Sequence, residues 1–206
     1  METREAGAGV RAVTPSPPSE LEIRSALRAR LMRAHDSGED TTILHELGIR
    51  RGQVRIDLAV VNGLMHGYEI KSDRDSLRRL SGQVELYSQV LDRATLVVGA
   101  RHLDDAVGIL PDWWGVTLIT WEEGTLIFRT LRPAESNPQR DSRALVELLW
   151  RDHTLDLLAE RNLDIGVRSK PRAILWDRAC SHFDIEEIAS AVRFHLKART
   201  APATPQ

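Results

Sequence analysis

The stretch QVRIDLAVVNGLMHGYEIK, residues 53–71, decides the fold of this 206-residue chain. It consists of two extended apolar runs, 53–61 and 64–71, which are joined by Asn62-Gly63. Asn-Gly between two such runs is the strongest short-range signal for a β-hairpin, because both residues tolerate positive φ in a tight turn. The stretch therefore predicts two antiparallel strands.

Three residues that can carry chemistry lie on this hairpin, Asp57 on the first strand and Glu69 and Lys71 on the second. Side chains two positions apart on a strand point to the same face, so Glu69 and Lys71 can act together. Two converging carboxylates supply hard oxygen ligands for Mg²⁺, and a lysine beside them can stabilise charge that develops on a phosphate. An Asp and a Glu-x-Lys triplet are also compatible with a structural salt bridge.

The register of the hairpin decides whether the three side chains converge. With a two-residue turn Asp57 faces Tyr68, which places Asp57 and Glu69 on opposite faces of the sheet. A longer loop, or a bulge at Gly67, shifts the register by one residue and brings both carboxylates to one face. The cluster therefore requires a hairpin that departs from the simplest turn.

Helix and strand signals continue on both sides of the hairpin up to residue 131. Ser19 can cap a first helix, and the stretch ILHELG at 43–48 is interpreted as the end of this helical region. The apolar residues of the helix are Ile23, Leu27, Leu31 and Ala34. After the hairpin the pattern predicts a helix at 76–92 with Asp75 as candidate N-cap, a buried strand at 94–100, a short helix at 102–110, and strands at 116–121 and 126–131. We therefore expect an α/β core.

Composition divides the chain into five segments. We expect a flexible arm at 1–18, the core at 19–131, a linker at 132–141 (RPAESNPQRD), a helical accessory unit at 142–200 and a disordered tail at 201–206. The helices of the accessory unit are predicted at 142–161, 172–181 and 184–199. Asp184 and Glu187 have the spacing of a capping box at the start of the last helix.

The bulk composition is that of an ordinary globular protein, with 42% hydrophobic and 28% charged residues. The net charge of −2 argues against a strongly basic, non-specific nucleic-acid binder. No apolar run is long enough for a membrane span, the N-terminus lacks a secretory signal, and the lone Cys180 fits a reducing compartment. We therefore expect a cytoplasmic protein without a membrane partner. The sequence contains neither a Gly-rich phosphate loop nor a Gly-x-Ser-x-Gly elbow.

The order of elements over about residues 20–121 resembles the PD-(D/E)XK nuclease superfamily: helix, hairpin with Asp and then Glu-x-Lys, helix, strand. The helix after Lys71 adds Gln83-x-x-x-Tyr87, which resembles an element of the RecB-type and CRISPR-adaptation branch. The stretch GYEIKSDRDSLRRLSGQVELYSQV is also similar to a group of mostly uncharacterised bacterial and phage proteins in this superfamily. The proline of the motif is absent, since Ile56 precedes Asp57.

The resemblance implies a restriction-endonuclease-like mixed central sheet flanked by helices, with a metal-dependent deoxyribonuclease site that uses Mg²⁺ or Mn²⁺. It implies that Asp57 and Glu69 are metal ligands and that Lys71 is the catalytic lysine. Gln83 is expected to join this catalytic group. Glu46 is expected to complete the metal shell, with His45 as the alternative. Whether cleavage is endonucleolytic or exonucleolytic stays open.

DNA is the partner that this interpretation predicts. The residues expected to contact it are Arg55, Arg74, Arg78, Arg79 and Tyr87, although the arginines also fit a solvated face and the tyrosine a core position. A homodimer and a protein partner bound by the C-terminal helices are further expectations. The alternatives to a nuclease are a non-catalytic nucleic-acid-binding module that retains the fold, and a regulator that binds through its C-terminal helices.

Overall fold

The computed structural model describes residues 18–35 and 40–199. These residues form a mixed β-sheet with helices packed against it. Its six strands lie side by side in chain order. The strands are β1 (Thr42–Ile49), β2 (Val54–Val61), β3 (Met65–Lys71), β4 (Arg93–Gly99), β5 (Gly115–Glu122) and β6 (Thr125–Arg132). The pairs β3–β4 and β4–β5 are parallel and the other neighbours are antiparallel. The α/β class and the mixed sheet are confirmed.

The hairpin between β2 and β3 has a three-residue loop, 62–64, rather than the two-residue turn. Val61 pairs with Met65, and the register continues without a bulge to Leu58 and Tyr68. The Leu64 N–H donates to the side chain of Asn62, which fixes the longer loop. This register is shifted by one residue from that of a two-residue turn, and it aligns Asp57 with Glu69.

Gly67 is needed for close packing rather than for a bulge. A Cβ at this position would lie 2.4 Å from Leu91 Cδ1 and 3.3 Å from Ile56 Cγ2. The glycine therefore lets the buried side chain of Leu91 pack directly against the backbone of β3.

The stretch 43–48 lies in β1, so its interpretation as the end of a helical region is wrong. The alternation of buried and exposed residues along β1 is broken at Glu46, whose φ of 48° is in the left-handed region. Because of this irregularity, the sequence of β1 lacks the strict alternation by which a strand is recognised. Glu46 lies opposite Asp57 in the register with β2, between the pairs His45–Leu58 and Leu47–Ile56.

The first helix, α1 (Glu20–Ala34), forms as its sequence predicts. The Ser19 side chain accepts from the Glu22 backbone N–H, and the Glu22 carboxylate accepts from the Ser19 backbone N–H. Three of the four predicted apolar residues pack on one face of the sheet against Leu58, Val60 and Ile70, whereas Ala34 is exposed. This packing brings the first turns of α1 close to Asp57 in the middle of β2, whose carboxylate accepts from Arg24.

The helix after β3 is shorter than predicted. A 3-10 turn at Leu77–Arg79 leads into α2 (Leu80–Ser88), so the helix ends before Asp92. The cap is Ser76, which accepts from the Arg78 backbone N–H. Asp75 instead accepts from the backbone N–H and hydroxyl of Ser72.

The remaining helices are α3 (Leu103–Val107), α4 (Ser142–Val146), α5 (Arg151–Ala159), α6 (Arg172–His182) and α7 (Ile185–Ala198). The prediction of a single helix over 142–161 is wrong. The backbone is extended at Trp150, so this stretch forms two helices, α4 and α5. The Asp184–Glu187 capping box of α7 is confirmed. The predicted tail at 201–206 lies outside the described residues, and so does the predicted arm at 1–18 except for its last residue.

The C-terminal helices share one hydrophobic core with the sheet. Residues of α4–α7 belong to the same buried cluster as Ala59, Val61 and Leu96. The segment 132–141 is fixed to the end of α2 and to the loop that follows it, since the Asn137 amide donates to the carbonyls of Ser88 and Leu91 at 2.7 Å each. Within the described ranges, no helix has the length and apolar character needed to cross a membrane.

Candidate functional site

The strands β2 and β3 are paired only over part of their length, and a cavity of about 670 Å³ lies where the pairing stops. The last pair before it is Leu58–Tyr68. Beyond this pair the Ile70 backbone N–H donates to the Asp57 carboxylate at 2.8 Å instead of to a carbonyl of β2. The lining includes Asp57, Glu69, Lys71, Gln83, Arg55, Arg78, Arg79 and Glu20. The structure therefore brings the predicted cluster together in one opening.

Glu69 is buried, with 2% of its surface exposed, and protein donors surround its carboxylate. Its Oε1 accepts from Lys71 Nζ at 2.5 Å and from Gln83 Nε2 at 2.6 Å. Its Oε2 accepts from the Tyr87 hydroxyl at 2.8 Å. These contacts fix the carboxylate in one orientation and place the lysine ammonium beside it.

Asp57 is held by two donors from different elements. One of its oxygens accepts from the Ile70 N–H and the other from Arg24 Nη2 at 3.0 Å. Burial, and then the nearby charge of Glu69, raise the pKa of Asp57 to about 7. Two carboxylates in one buried opening repel each other, so a bound cation would stabilise their ionised forms.

Arg24 belongs to this site, although nothing in the sequence distinguishes it from the other arginines of α1. Its side chain is only 18% exposed and contacts three carboxylates. Nη2 donates to Glu20 at 2.5 Å and to Asp57 at 3.0 Å, and Nη1 donates to Glu46 at 3.1 Å. These partners lie on α1, β1 and β2. The sequence gives no signal for a contact between residues 33 positions apart.

Glu46 does not join the two carboxylates in the cavity. It is 48% exposed, accepts from Arg24 and Arg55, and does not line the opening. The hydrogen bonds from Arg24 and Arg55 lower its pKa. His45 is exposed and is also outside the lining. The three-carboxylate shell of Glu46, Asp57 and Glu69 is thus not formed, because the Arg24 guanidinium lies between Glu46 and Asp57.

In the described ranges 18–35 and 40–199, no group of three or more His, Cys, Asp or Glu side chains could hold a metal ion. Two carboxylates remain, and Mg²⁺ is commonly held by one or two carboxylates while it keeps several waters. Gln83 Oε1 is buried and has no hydrogen-bond donor within the described part of the chain. This acceptor could bind a water on such an ion. The residues therefore fit a divalent cation with two protein ligands.

The predicted nucleic-acid contacts divide into three groups. Arg55, Arg78 and Arg79 are exposed and line the cavity. Arg74 is exposed but is not part of the lining. Tyr87 is 1% exposed, so the prediction that it contacts nucleic acid is wrong. Its ring packs parallel to that of Trp114, and its hydroxyl contacts Glu69, which makes it a positioning residue for the carboxylate.

The fold and the cavity define an α/β protein with a mixed sheet and two carboxylates beside a buried lysine. The family model described as Bacteriophage P4 protein cII matches residues 16–203. The chain belongs to this family. Protein cII of Enterobacteria phage P4 is 26% identical over 119 residues, which are 58% of this chain and 45% of that protein. The matched segment thus spans less than half of that relative.

Two solved structures are similar to this chain at low identity. A protein of unknown function from Silicibacter pomeroyi is 20% identical, with a TM-score of 0.40 and coverage of 70% of this chain and 92% of that one. Pyrococcus furiosus SfsA in complex with Ca²⁺ is 14% identical, with a TM-score of 0.35 and coverage of 56% and 65%. These scores are too low to bear on the site, so membership of the PD-(D/E)XK superfamily stays a prediction.

Proposed function

We propose that this protein hydrolyses phosphodiester bonds in DNA with a divalent cation, Mg²⁺ or Mn²⁺, held by Asp57 and Glu69. The observation that carries the proposal is the common cavity of Asp57, Glu69 and Lys71 at the point where β2 and β3 separate. The same cavity has three arginines in its lining, and a phosphodiester is anionic. A cation between the carboxylates would polarise the phosphate and lower the pKa of a water that attacks it.

The residues of the chain have distinct roles in this proposal. Lys71 lies beside Glu69 and can stabilise the negative charge that develops on the phosphate. Gln83 and Tyr87 hold Glu69 in place, and the free Gln83 oxygen can orient a water. Because Glu69 and Lys71 are buried, water competes little for their charges, which strengthens the electrostatic contacts that each of them makes.

In this proposal the arginines at the opening of the cavity bind the phosphates of the DNA backbone. Arg55, Arg78 and Arg79 are exposed and line the cavity from two elements, β2 and the turn before α2. Guanidinium groups in this position can contact phosphates on both sides of the one at the carboxylates. They offset the local acidity of the site, although the chain as a whole has a net charge of −2.

A non-catalytic DNA-binding protein is the second candidate, and a specific observation favours it. Glu69 is bound by Lys71 and Gln83, and Asp57 by Arg24, so protein groups already neutralise both carboxylates. Neither the description of the family nor the name of its phage P4 relative mentions a nuclease. In this alternative Arg55, Arg78 and Arg79 bind DNA and the cluster stabilises the fold.

Cleavage of linear, circular and single-stranded DNA with Mg²⁺, Mn²⁺ or EDTA tests the proposal. We expect metal-dependent cleavage by the wild type, no cleavage by Asp57→Ala or Glu69→Ala, and normal cleavage by Glu85→Gln, an exposed carboxylate variant on α2. Substantial activity in either alanine variant would place the metal ligands elsewhere. DNA binding without cleavage in the wild type, weakened in Arg78→Gln/Arg79→Gln, would support the second candidate instead.

A further inference from the structure

The Arg24 guanidinium is the cation that the structure places on the Asp57 carboxylate. It approaches from α1, and its three acceptors come from α1, β1 and β2. Asp57 is only 15% exposed, whereas Glu20 and Glu46 are about half exposed at 42% and 48%. Arg24 therefore connects one buried carboxylate with two that water also solvates.

A divalent cation on Asp57 would be repelled by this guanidinium. The Ile70 N–H holds one Asp57 oxygen and Arg24 the other, so departure of the arginine would leave its oxygen without a hydrogen bond and free to bind a metal. A guanidinium 3.0 Å from that oxygen opposes a second positive charge there. Metal and arginine thus compete for the same atom.

We propose that Arg24 neutralises Asp57 when no metal is bound, and that a divalent cation displaces it from Asp57 onto the Glu20–Glu46 pair. This inference rests on the proposed metal site. It deepens that function by assigning a residue that sets the affinity for metal. It also gives Glu46 a role other than that of a metal ligand, since Glu46 holds the arginine that the metal displaces.

The geometry around Glu46 supports this role. Displacement would remove one of the three contacts of Arg24 and leave two, so its charge stays paired throughout. Glu46 has a φ of 48°, an unfavourable value for a residue other than glycine, and its carboxylate is held between Arg24 and Arg55. The strained backbone at this point of β1 places the second acceptor beside the guanidinium.

Binding of Mn²⁺ to the full chain, measured by calorimetry and by its paramagnetic resonance signal, tests the inference without any need for activity. Arg24→Met should bind Mn²⁺ about 10-fold more tightly than the wild type, the effect of removing about one partly exposed ion pair. Its melting temperature should be lower than that of the wild type in EDTA and should rise more when Mn²⁺ is added. Arg28→Met, an exposed arginine one turn further along α1, is the matched control and should match the wild type.

The Glu46→Gln variant, made in the wild type and in the Arg24→Met background, separates the two roles of Glu46. It should weaken Mn²⁺ binding in the wild type and have no effect in the Arg24→Met background. An equal loss in both backgrounds would make Glu46 a ligand and overturn the inference. Equal Mn²⁺ affinity of the wild type and Arg24→Met would overturn the inference about Arg24 but leave the proposed function standing. No Mn²⁺ binding by either protein would overturn both.

Discussion

Replacement of Asp57 by asparagine should stabilise the metal-free protein at neutral and higher pH. The pKa of Asp57 is raised to about 7 by burial and by Glu69, against about 3.9 in an unfolded chain. This difference, at about 1.4 kcal/mol per pKa unit, corresponds to about 4 kcal/mol that ionised Asp57 subtracts from folding stability. Asparagine removes this cost but weakens the contact with Arg24, so we expect a net gain of about 1–3 kcal/mol at pH 8.

The pH dependence of this gain identifies its cause. Unfolded Asp57 loses its proton near pH 4, but folded Asp57 keeps it until about pH 7. The Asp57 contribution to stability is therefore fully present below about pH 4 and is lost as pH rises to about 7. The stability difference between Asp57→Asn and the wild type should be largest at pH 8 and should fall by about half or more at pH 5.

Urea denaturation of both proteins in EDTA at several pH values measures the difference. Glu46→Gln is the control with the opposite sign, because Arg24 and Arg55 lower the pKa of Glu46. That variant should be the less stable one, and its difference from the wild type should stay constant between pH 8 and pH 5. An Asp57→Asn protein that is less stable than the wild type at pH 8, or a difference that does not change with pH, would refute the reasoning.

Three further predictions concern Lys71, Tyr87 and Gly67. Lys71→Ala should lower single-turnover cleavage by about 10²- to 10³-fold, with poor rescue by arginine; a variant that melts early but cuts normally would show a salt-bridge partner only. Tyr87→Phe keeps the ring beside Trp114 but loses the hydrogen bond to Glu69. Thermal melting in EDTA should therefore show a free energy of unfolding lower by about 1.5–3 kcal/mol, and an unchanged stability would contradict the positioning role of Tyr87. Gly67→Ala should lose about 1–3 kcal/mol in urea denaturation, because its Cβ meets Leu91 at 2.4 Å, whereas Gly63→Ala, with nothing within 4 Å, should not.

The parts of the fold that local chemistry specifies could be predicted from the sequence. The cap at Ser19, the capping box at Asp184 and the buried positions Ile23, Leu27 and Leu31 of α1 use signals contained within a few residues. The strand β1 could not be predicted, since the positive φ at Glu46 breaks its alternation. The division between α4 and α5 at Trp150 has no proline or glycine to mark it.

The candidate site was predictable only where its residues lie close together in the chain. Glu69 and Lys71 share a face because of strand geometry, and the position of Asp57 depended on one residue of loop length. The contact of Arg24 with Asp57, and the separation of Glu46 from Glu69, depend on how α1 packs on the sheet. Such long-range packing has no local signal in a single sequence.

The core that the C-terminal helices share with the sheet has a consequence for synthesis of the chain. The helix α7, which reaches residue 198, supplies Ile188, Val192 and Leu196 to the cluster that also covers the sheet. Arg193 reaches Asp92 across 101 positions of the chain. On the ribosome, the apolar residues that β1 to β5 contribute to this cluster therefore stay partly uncovered until α7 has been synthesised. We expect the nascent chain to depend on chaperones until that helix emerges.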